Sequence, residues 1–198
     1  MSASPAVMAG NDTPWVLPSR GRVGMISLII AESAIFMIFV AAYIFYIGKS
    51  LDGPTPRQVL KIPIFITVCL LSSSLTMHWA IAALRKGKTA SFNLFWLITL
   101  VLGAIFLTGT GREWQHLIYQ EGFTIQTNLF GTTYYSLVGL HASHVTAGLI
   151  GLTIVAILGL AGKIRREHSE RCEVFALYWH FVDAVWVVVF TVVYIVGR

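Results

Sequence analysis

Near its C-terminal end the chain reads Tyr178-Trp179-His180-Phe181-Val182-Asp183-Ala184-Val185-Trp186, and almost unbroken apolar residues follow to Val196. The segment 174–196 is 23 residues long, enough for an α-helix to cross a hydrocarbon core of about 30 Å. Helical spacing places on one narrow face Trp179, Asp183, Trp186 and Phe190. A carboxylate within a membrane span is costly unless it is paired, hydrogen-bonded or protonated. We therefore expect Asp183 and the adjacent His180 to meet polar groups from other segments.

The composition is that of a membrane protein. Hydrophobic residues make up 56% of the 198 residues and charged residues only 12%, with a mean hydropathy of +0.74. A soluble domain carries about twice that charged fraction. The net charge of +5 does not indicate nucleic-acid binding, because the basic residues lie at the ends of apolar segments rather than on one patch. The two cysteines, Cys69 inside a predicted span and Cys172 in a predicted charged loop, form neither a disulfide framework nor a metal-ligand spacing.

Five apolar segments are long enough to span a membrane, and turns or charge clusters separate them. We place these spans at about 23–47, 62–84, 92–111, 131–161 and 174–196. All five should be α-helices, since backbone groups in lipid must be hydrogen-bonded within their own segment. The predicted fold is therefore all-α, a bundle of five transmembrane helices that forms one domain over 21–198.

A polar N-terminal arm, 1–20, precedes this bundle. Trp15 suits a position at the membrane interface or on a partner subunit. No cleaved signal peptide is expected, because the small residues at the N-terminus come before any apolar run, which is the wrong order for a cleavage site.

The distribution of positive charge predicts the orientation in the membrane. With the N-terminus in the cytoplasm, nine Lys and Arg residues lie on the inner side and five on the outer side. The inner set is Arg20, Arg22, Arg85, Lys86, Lys88, Lys163, Arg165, Arg166 and Arg171, and the outer set is Lys49, Arg57, Lys61, Arg112 and Arg198. Cytoplasmic segments carry the excess of positive charge in membrane proteins. The chain is therefore predicted to begin in the cytoplasm and to end in the periplasm.

Ionisable residues inside the spans gather in the cytoplasmic half and at the midplane of this arrangement. Glu32 lies about nine residues into the first span, ~14 Å from its inner end at 1.5 Å per residue. Asp183 lies at a similar depth in the fifth span. The histidines at comparable depths are His78, His141, His144 and His180. We interpret these residues as one polar layer between helices, and an intramembrane carboxylate is a functional candidate by default.

Helix faces identify further contact residues. In the fourth span His141, His144 and Gly148 share a face, and a glycine there lets another backbone approach closely. In the third span a face of small and aromatic residues ends at Glu113. We interpret Arg112 and Glu113 as an interfacial ion pair at the outer end of that span, which helps to fix the following loop. The other candidates for helix packing or subunit contact are Trp179 and Trp186.

The buried histidines and carboxylates allow more than one interpretation. Haem ligation needs axial histidines at matched depths on two facing helices, whereas His141 and His144 are three residues apart on one helix. A pair such as His78 with His180 fits by depth alone. Hydrogen-bonded structural histidines are the simpler interpretation. The two carboxylates either join helices, with a hydrogen bond from Glu32 to a histidine as one form, or handle protons.

Five motifs along the spans carry a family resemblance. They are Ala31-Glu32-Ser33, Leu70-Leu71-Ser72-Ser73-Ser74, Arg112-Glu113-Trp114, Gly139-Leu140-His141-Ala142-Ser143-His144-Val145-Thr146-Ala147-Gly148 and Trp179-His180-Phe181-Val182-Asp183-Ala184-Val185-Trp186. In their order and spacing, over residues 15–197, the chain resembles subunit III of the haem–copper terminal oxidases in its short five-helix bacterial form. Glu32 corresponds to the intramembrane glutamate of that family. The pair Ala142-Ser143 departs from the family pattern, in which a glycine usually follows the first histidine.

The resemblance implies a subunit without a redox metal of its own. In the family, subunit I carries the low-spin haem and the haem–copper centre where oxygen is reduced. Subunit III packs against subunit I, holds phospholipid, and supports proton uptake and the stability of the complex. No cofactor is therefore expected in this chain, and haem and copper are expected in partner subunits. The first two helices of the seven-helix mitochondrial form are missing here, unless another chain supplies them.

The expected function is that of subunit III of a bacterial cytochrome c oxidase, an inner-membrane complex that reduces oxygen to water and pumps protons. Subunit III of a quinol oxidase and the related protein associated with nitric oxide reduction are alternatives that would have similar sequences. An alternative of another class is a small independent transporter or proton channel with Glu32 and Asp183 as relay groups. Five spans without an internal repeat fit that class less well.

Overall fold

A computed structural model of the protein describes residues 19–50, Gly53 and 56–197, without the side chain of Arg57. The predicted N-terminal arm, 1–20, lies almost entirely outside the described residues, and so does Trp15.

Five long α-helices run through the described residues, and each is long and apolar enough to cross a membrane. They are α1 (Arg20–Tyr46), α2 (Ile64–Arg85), α3 (Thr89–Tyr119), α4 (Leu129–Leu160) and α5 (Ser169–Phe190), which continues as a π-helix over Thr191–Val196. Short helical segments over Pro56–Val59 and Arg166–His168 lie in two of the connections. The predicted fold of five transmembrane helices is confirmed, and the chain is an integral multi-pass membrane protein.

The third helix continues well past the span predicted at 92–111. It ends at Tyr119, because residues 112–119 include neither glycine nor proline and charged side chains end a membrane span without ending a helix. The 31 residues of α3 extend about 46 Å at 1.5 Å per residue. This length exceeds a hydrocarbon core of about 30 Å, so part of α3 stands outside the core of the bilayer.

The connections between helices begin and end at local signals. Lys86-Gly87-Lys88 joins α2 to α3 in a tight hairpin, and Gly87 has a φ of 72°, which glycine adopts without the steric cost of a side chain. At the start of α4 the side-chain oxygen of Asn128 accepts a hydrogen bond from the backbone N–H of Gly131 at 2.8 Å. This contact satisfies one of the free N–H groups of the helix terminus.

The last helix is at the centre of the bundle. α5 packs against α1, α2 and α4, while α3 packs against α2 and α4. α1 lies at the side of the bundle, against α4 and α5. Only 11% of its most apolar stretch is buried, compared with 44% for α2. The last helix, α5, therefore connects the peripheral α1 to the α2–α3 hairpin.

Tryptophans fill the middle of the bundle. Trp96, Trp179 and Trp186 are fully buried. An aromatic side chain of this kind buries roughly 150–250 Å² of surface. The indole N–H of Trp96 donates to the backbone carbonyl of Leu152 at 2.9 Å, which joins α3 to α4. Buried indoles need such partners, so these residues fix the rotation of the helices as well as their spacing.

Candidate functional site: polar contacts between the helices

Glu32 and His144 form a direct contact between α1 and α4. The Oε2 atom of Glu32 lies 3.0 Å from Nε2 of His144, and Nδ1 of His144 lies 2.8 Å from the carbonyl oxygen of Leu140. A carbonyl only accepts hydrogen bonds, so Nδ1 carries a hydrogen. The hydrogen bond to Glu32 then requires one proton between the carboxyl group and the imidazole. The pair is thus a place where a single proton is held between two helices.

The last helix contacts the backbone of the same histidine. The hydroxyl of Tyr178, on α5, donates to the backbone carbonyl of His144 at 3.1 Å. The ring of Phe36, one turn after Glu32, lies 4.9 Å from the imidazole of His144, measured between ring centroids. Three helices therefore meet around one histidine, whose ring contacts α1 and whose backbone carbonyl binds α5.

Asp183 and His180 face α2 and not the Glu32 contact. The Nδ1 atom of His180 lies 2.5 Å from the hydroxyl oxygen of Ser74. Asp183 is only 3% exposed. Neither of its carboxyl oxygens has a hydrogen bond of good geometry among the described residues, although the hydroxyl of Ser74 lies near the carboxyl group. Ser74 is therefore the polar group that α2 contributes to both of these residues.

The two tryptophans of the same motif bind α2 through hydroxyl groups. The indole N–H of Trp179 donates to the hydroxyl of Ser73 at 2.8 Å, and that of Trp186 donates to the hydroxyl of Thr67 at 3.2 Å. These two bonds lie two turns apart on α5. They hold α5 in register with α2 along the length of the contact.

Two glycines make room for the Trp179 side chain. A Cβ atom added at Gly148 on α4 would lie 2.9 Å from Cζ3 of Trp179, and one added at Gly103 on α3 would lie 2.7 Å from its Cη2. Real Cβ atoms do not come that close to a rigid neighbour. The indole therefore fits only because both adjoining helices lack a side chain at that level.

His141 packs as an aromatic ring. It is completely buried, and its imidazole stacks on the ring of Trp186 at 5.0 Å with an edge contact to Phe106 at 5.7 Å. Neither ring nitrogen has a hydrogen-bond partner within the described part of the chain. His141 and His144 share one helix face, yet one fills the core and the other binds a carboxylate.

Glu113 lies near the other end of the bundle, where the prediction of an ion pair with Arg112 is wrong. The hydroxyl of Tyr194 donates to Oε1 of Glu113 at 3.1 Å, and the hydroxyl of Tyr134 lies 3.5 Å from that of Tyr194. Adjacent residues of a helix point about 100° apart, so Arg112 is turned away from its neighbour. Glu113 joins α3 to the end of α5 and does not fix the following loop through an ion pair.

His78 lies outside the buried contacts. Its side chain is exposed and lines a cavity between α1, α2 and α5, where it interacts electrostatically with His180. The cysteines are both free and buried, and Cys172 lies in the first turn of α5 rather than in a loop. Among the described residues no group of three or more His, Cys, Asp or Glu side chains is placed to hold a metal ion.

The sequence interpretation missed the hydroxyl partners. These partners are Thr67, Ser73, Ser74, Tyr178 and Tyr194. A run of three serines in the middle of an apolar span was the available signal, since small hydroxyl residues are enriched where membrane helices touch.

Comparison with known proteins identifies the family. The family model for cytochrome c oxidase subunit III matches residues 3–198, nearly the whole chain. The chain belongs to the cytochrome c oxidase subunit III family. It is thus a subunit III of a haem–copper oxidase, part of a multi-subunit respiratory complex, as the resemblance of its motifs indicates.

Individual members of the cytochrome c oxidase subunit III family cover most of the chain. Subunit 3 of cytochrome c oxidase from Synechocystis is 38% identical over 90% of this chain and 76% of its own length. Subunit 3 of cytochrome c oxidase from Alkalihalophilus pseudofirmus is 35% identical over 84% of this chain and 82% of its own length. Subunit 3 of the cytochrome bo(3) ubiquinol oxidase of Pseudomonas aeruginosa is 31% identical over 95% of this chain and 91% of its own length.

Proposed function

We propose that this subunit III holds no redox centre and serves its oxidase by packing against subunit I, binding phospholipid and supporting proton uptake. Haem and copper then belong to the partner subunits. The complex lies in the bacterial inner membrane, as expected for relatives from bacteria. Its electron donor is cytochrome c, by analogy with relatives named as cytochrome c oxidase subunits.

The observation that carries this proposal is that the histidines within the spans of α4 and α5 contact other residues of the same chain. His144 engages both ring nitrogens, one with Glu32 and one with its own helix. His180 binds Ser74 through Nδ1, and His141 is enclosed by aromatic rings. Side chains with these partners join helices to one another, which is what a scaffold for a neighbouring catalytic subunit requires.

The Glu32–His144 pair supports a role near proton uptake. Its proton lies between two groups that both accept and release protons, and the two side chains are 24% and 15% exposed. The helix that carries Glu32, α1, has only 11% of its most apolar stretch buried, so it leaves much of its surface free for other contacts. A neighbouring subunit or a lipid on that side would therefore meet a group able to give up or receive a proton.

Purification from native membranes tests the assignment. A tagged form of this chain, solubilised in mild detergent, should bring a haem-bearing partner with it and consume oxygen with reduced cytochrome c. After dissociation the separated chain should be colourless and contain no copper. A Soret band that stays with the separated chain, or a metal bound by His78, His141, His144 or His180, would overturn the proposal.

Reconstitution separates the proposal from the transporter alternative. The chain alone, in vesicles that contain a pH-sensitive dye, should give no faster proton flux than empty vesicles. Flux that disappears in the Glu32→Gln variant would instead favour an independent proton channel.

The orientation in the membrane is tested with reporters. Fusion of a periplasm-dependent phosphatase to the C-terminus should give activity, and a cytoplasm-dependent fluorescent protein at the same place should stay dark. The reverse pattern would show that the excess of basic residues at the α2–α3 and α4–α5 connections faces the periplasm, against the positive-inside rule.

A further inference from the structure

A polar cavity opens where α1, α2 and α5 meet. Its volume is about 470 Å³, within the range of about 300–1,000 Å³ that is typical of small-molecule sites. Three cationic side chains line it, one from α1 and two from the end of α2: Arg22, Arg85 and Lys86. Two histidines and two carboxylates complete the polar lining: His78, His180, Glu170 and Glu173.

The carboxylates of this cavity leave part of the positive charge uncompensated. Glu173 forms an ion pair with Arg85, with Nε and Oε1 2.7 Å apart, and it also interacts electrostatically with Arg22. The ammonium group of Lys86 has no hydrogen bond or ion pair within the described residues. Three cations against two carboxylates, one of them already paired, favour a ligand that brings negative charge.

The position of the cavity fits a lipid better than a free anion. It lies where α1 begins, α2 ends and α5 begins, which is the boundary between the bilayer and water. Aliphatic side chains form the rest of its wall, including Ile81, Val174 and Leu177. A ligand that matches this lining has an anionic group beside apolar chains, as an anionic phospholipid does with its phosphate and its acyl chains. Basic pockets between transmembrane helices at this boundary recognise the head groups of anionic lipids.

We propose that this cavity binds the phosphate head group of an anionic phospholipid from the leaflet at which α1 begins, with Arg22 and Lys86 as its cationic contacts. The proposal rests on the lipid-binding part of the proposed function and names the site and the lipid class. Arg85 is held by Glu173 and closes the side of the cavity between α2 and α5. A lipid bound here would join the start of the weakly packed α1 to the hairpin that α1 does not otherwise contact extensively.

The opposite end of the bundle offers a matched control. A cavity of about 390 Å³ lies between the start of α2 and the end of α3, and two cations line it, Lys61 and Arg112. It also contains Glu113 and His116, and its other lining residues are apolar. Removing two cations at either end changes the net charge of the chain equally, so any difference in lipid binding belongs to the site and not to the overall charge.

Lipid retention tests the proposal. The complex that contains the full chain is stripped with detergent and placed in nanodiscs of phosphatidylcholine mixed with phosphatidylglycerol. Native mass spectrometry then counts the lipids that stay bound after release. In Arg22→Gln/Lys86→Gln the retained phosphatidylglycerol should fall roughly ten-fold, given the attraction expected for each basic residue near anionic lipid. The control Lys61→Gln/Arg112→Gln should retain it as the unaltered complex does.

The outcomes separate the alternatives. Equal retention of phosphatidylglycerol in the two double variants would overturn the proposal. Retention of phosphatidylcholine equal to that of phosphatidylglycerol in the unaltered complex would also overturn it. If inorganic phosphate displaces phosphatidylglycerol as well as glycerophosphoglycerol does, the site takes a free anion and the proposal is wrong. The charge-conserving Arg22→Lys/Lys86→Arg variant should retain the lipid, and unchanged co-purifying subunits show that the fold is intact.

The lipid site and the proposed function are tested by different measurements, so either can fail without the other. Retention is measured as bound lipid, whereas the proposed function is measured by a haem-bearing partner and by oxygen consumption. If the lipid is lost while oxygen consumption stays the same, the site exists but does not serve the oxidase. If no haem-bearing partner is found, the lipid preference of the chain is still measurable in the same nanodiscs.

Discussion

The two carboxylates that lie within the spans of α1 and α5 are held in opposite ways. Glu32, on the peripheral α1, has an imidazole 3.0 Å away and a side chain that is 24% exposed. Asp183, on the central α5, is 3% exposed and has no hydrogen bond of good geometry among the described residues. The carboxylate of Glu32 joins α1, which has few buried residues, to His144 on α4. The carboxylate of Asp183 lies in a contact that tryptophans, glycines and hydroxyls already define.

This difference indicates that the bundle has a rigid part and a part attached to it. Interlocked side chains and buried hydrogen bonds hold α5 against α2, α3 and α4, whereas α1 shares a hydrogen bond between Glu32 and His144. Loss of packing around Trp179 on α5 should therefore destabilise the chain most, whereas loss of the Glu32 hydrogen bond should act locally, on α1.

The largest effect is expected at the Trp179 contact. Gly148→Leu should lower the free energy of unfolding by about 3 kcal/mol, because the rigid, fully buried indole has nowhere to move. Titration with sodium dodecyl sulfate, followed by far-ultraviolet circular dichroism, measures the change. Gly111→Leu on α3 is the control, since nothing lies within 4 Å of a Cβ atom there.

A second substitution sharpens that test. Trp179→Phe shortens the side chain and should recover part of the stability lost in Gly148→Leu, although it removes the hydrogen bond to Ser73. If Gly148→Leu unfolds at the same detergent fraction as Gly111→Leu, interlocking does not hold the central helices together.

The next effect concerns the polar contact between α2 and α5. Ser74→Ala removes the group that binds His180 and faces Asp183, so the free energy of unfolding should fall by about 1–3 kcal/mol. Ser72→Ala, two residues earlier on the exposed side of α2, should have almost no effect. Equal unfolding of the two variants would show that the carboxylate and the imidazole find other partners.

The sequence predicts the helices well because hydropathy is a property of each segment. Five spans, an all-α fold and the location of the charged residues near span ends all follow from runs of apolar residues. The helix α3 is longer than its predicted span because hydropathy shows where the apolar residues end, and a helix can continue beyond that point. The helix continues to Tyr119, beyond the end of the apolar run.

The partners of the polar residues are less predictable, since they depend on which helices are neighbours. Helical periodicity puts His141 and His144 on one face, but it does not say that Trp186 covers the first and Glu32 meets the second. Ser74 looks neutral in a hydropathy profile and yet serves two ionisable residues. Arg112 and Glu113 are neighbours in the sequence, but on a helix their side chains point about 100° apart, so adjacency alone does not predict an ion pair.

A smaller effect is expected at α1. Glu32→Gln keeps a hydrogen bond, because the amide can donate to the Nε2 atom of His144, whereas Glu32→Leu loses it at a cost of about 1 kcal/mol. Hydrogen exchange of the α1 amides should increase in Glu32→Leu and stay the same in Glu32→Gln. Electron transfer in the assembled oxidase should remain largely intact in Glu32→Gln. Complete loss of turnover with normal assembly would instead give Glu32 an essential role in proton transfer.

The smallest effect is expected at the rim of the α2–α5 contact, where Arg85 and Glu173 form an ion pair with Nε and Oε1 2.7 Å apart. The Arg85 side chain is 62% exposed, and such pairs contribute only about 0.2–1 kcal/mol. A double-mutant cycle of Arg85→Gln and Glu173→Gln in an uncharged detergent, free of anionic lipid, measures the coupling. Because salt screens exposed charges beyond ~10 Å at 0.1 M, the coupling should shrink further as salt is added. A coupling that exceeds about 2 kcal/mol and resists salt would mean that charge, in addition to packing, holds the central helices together.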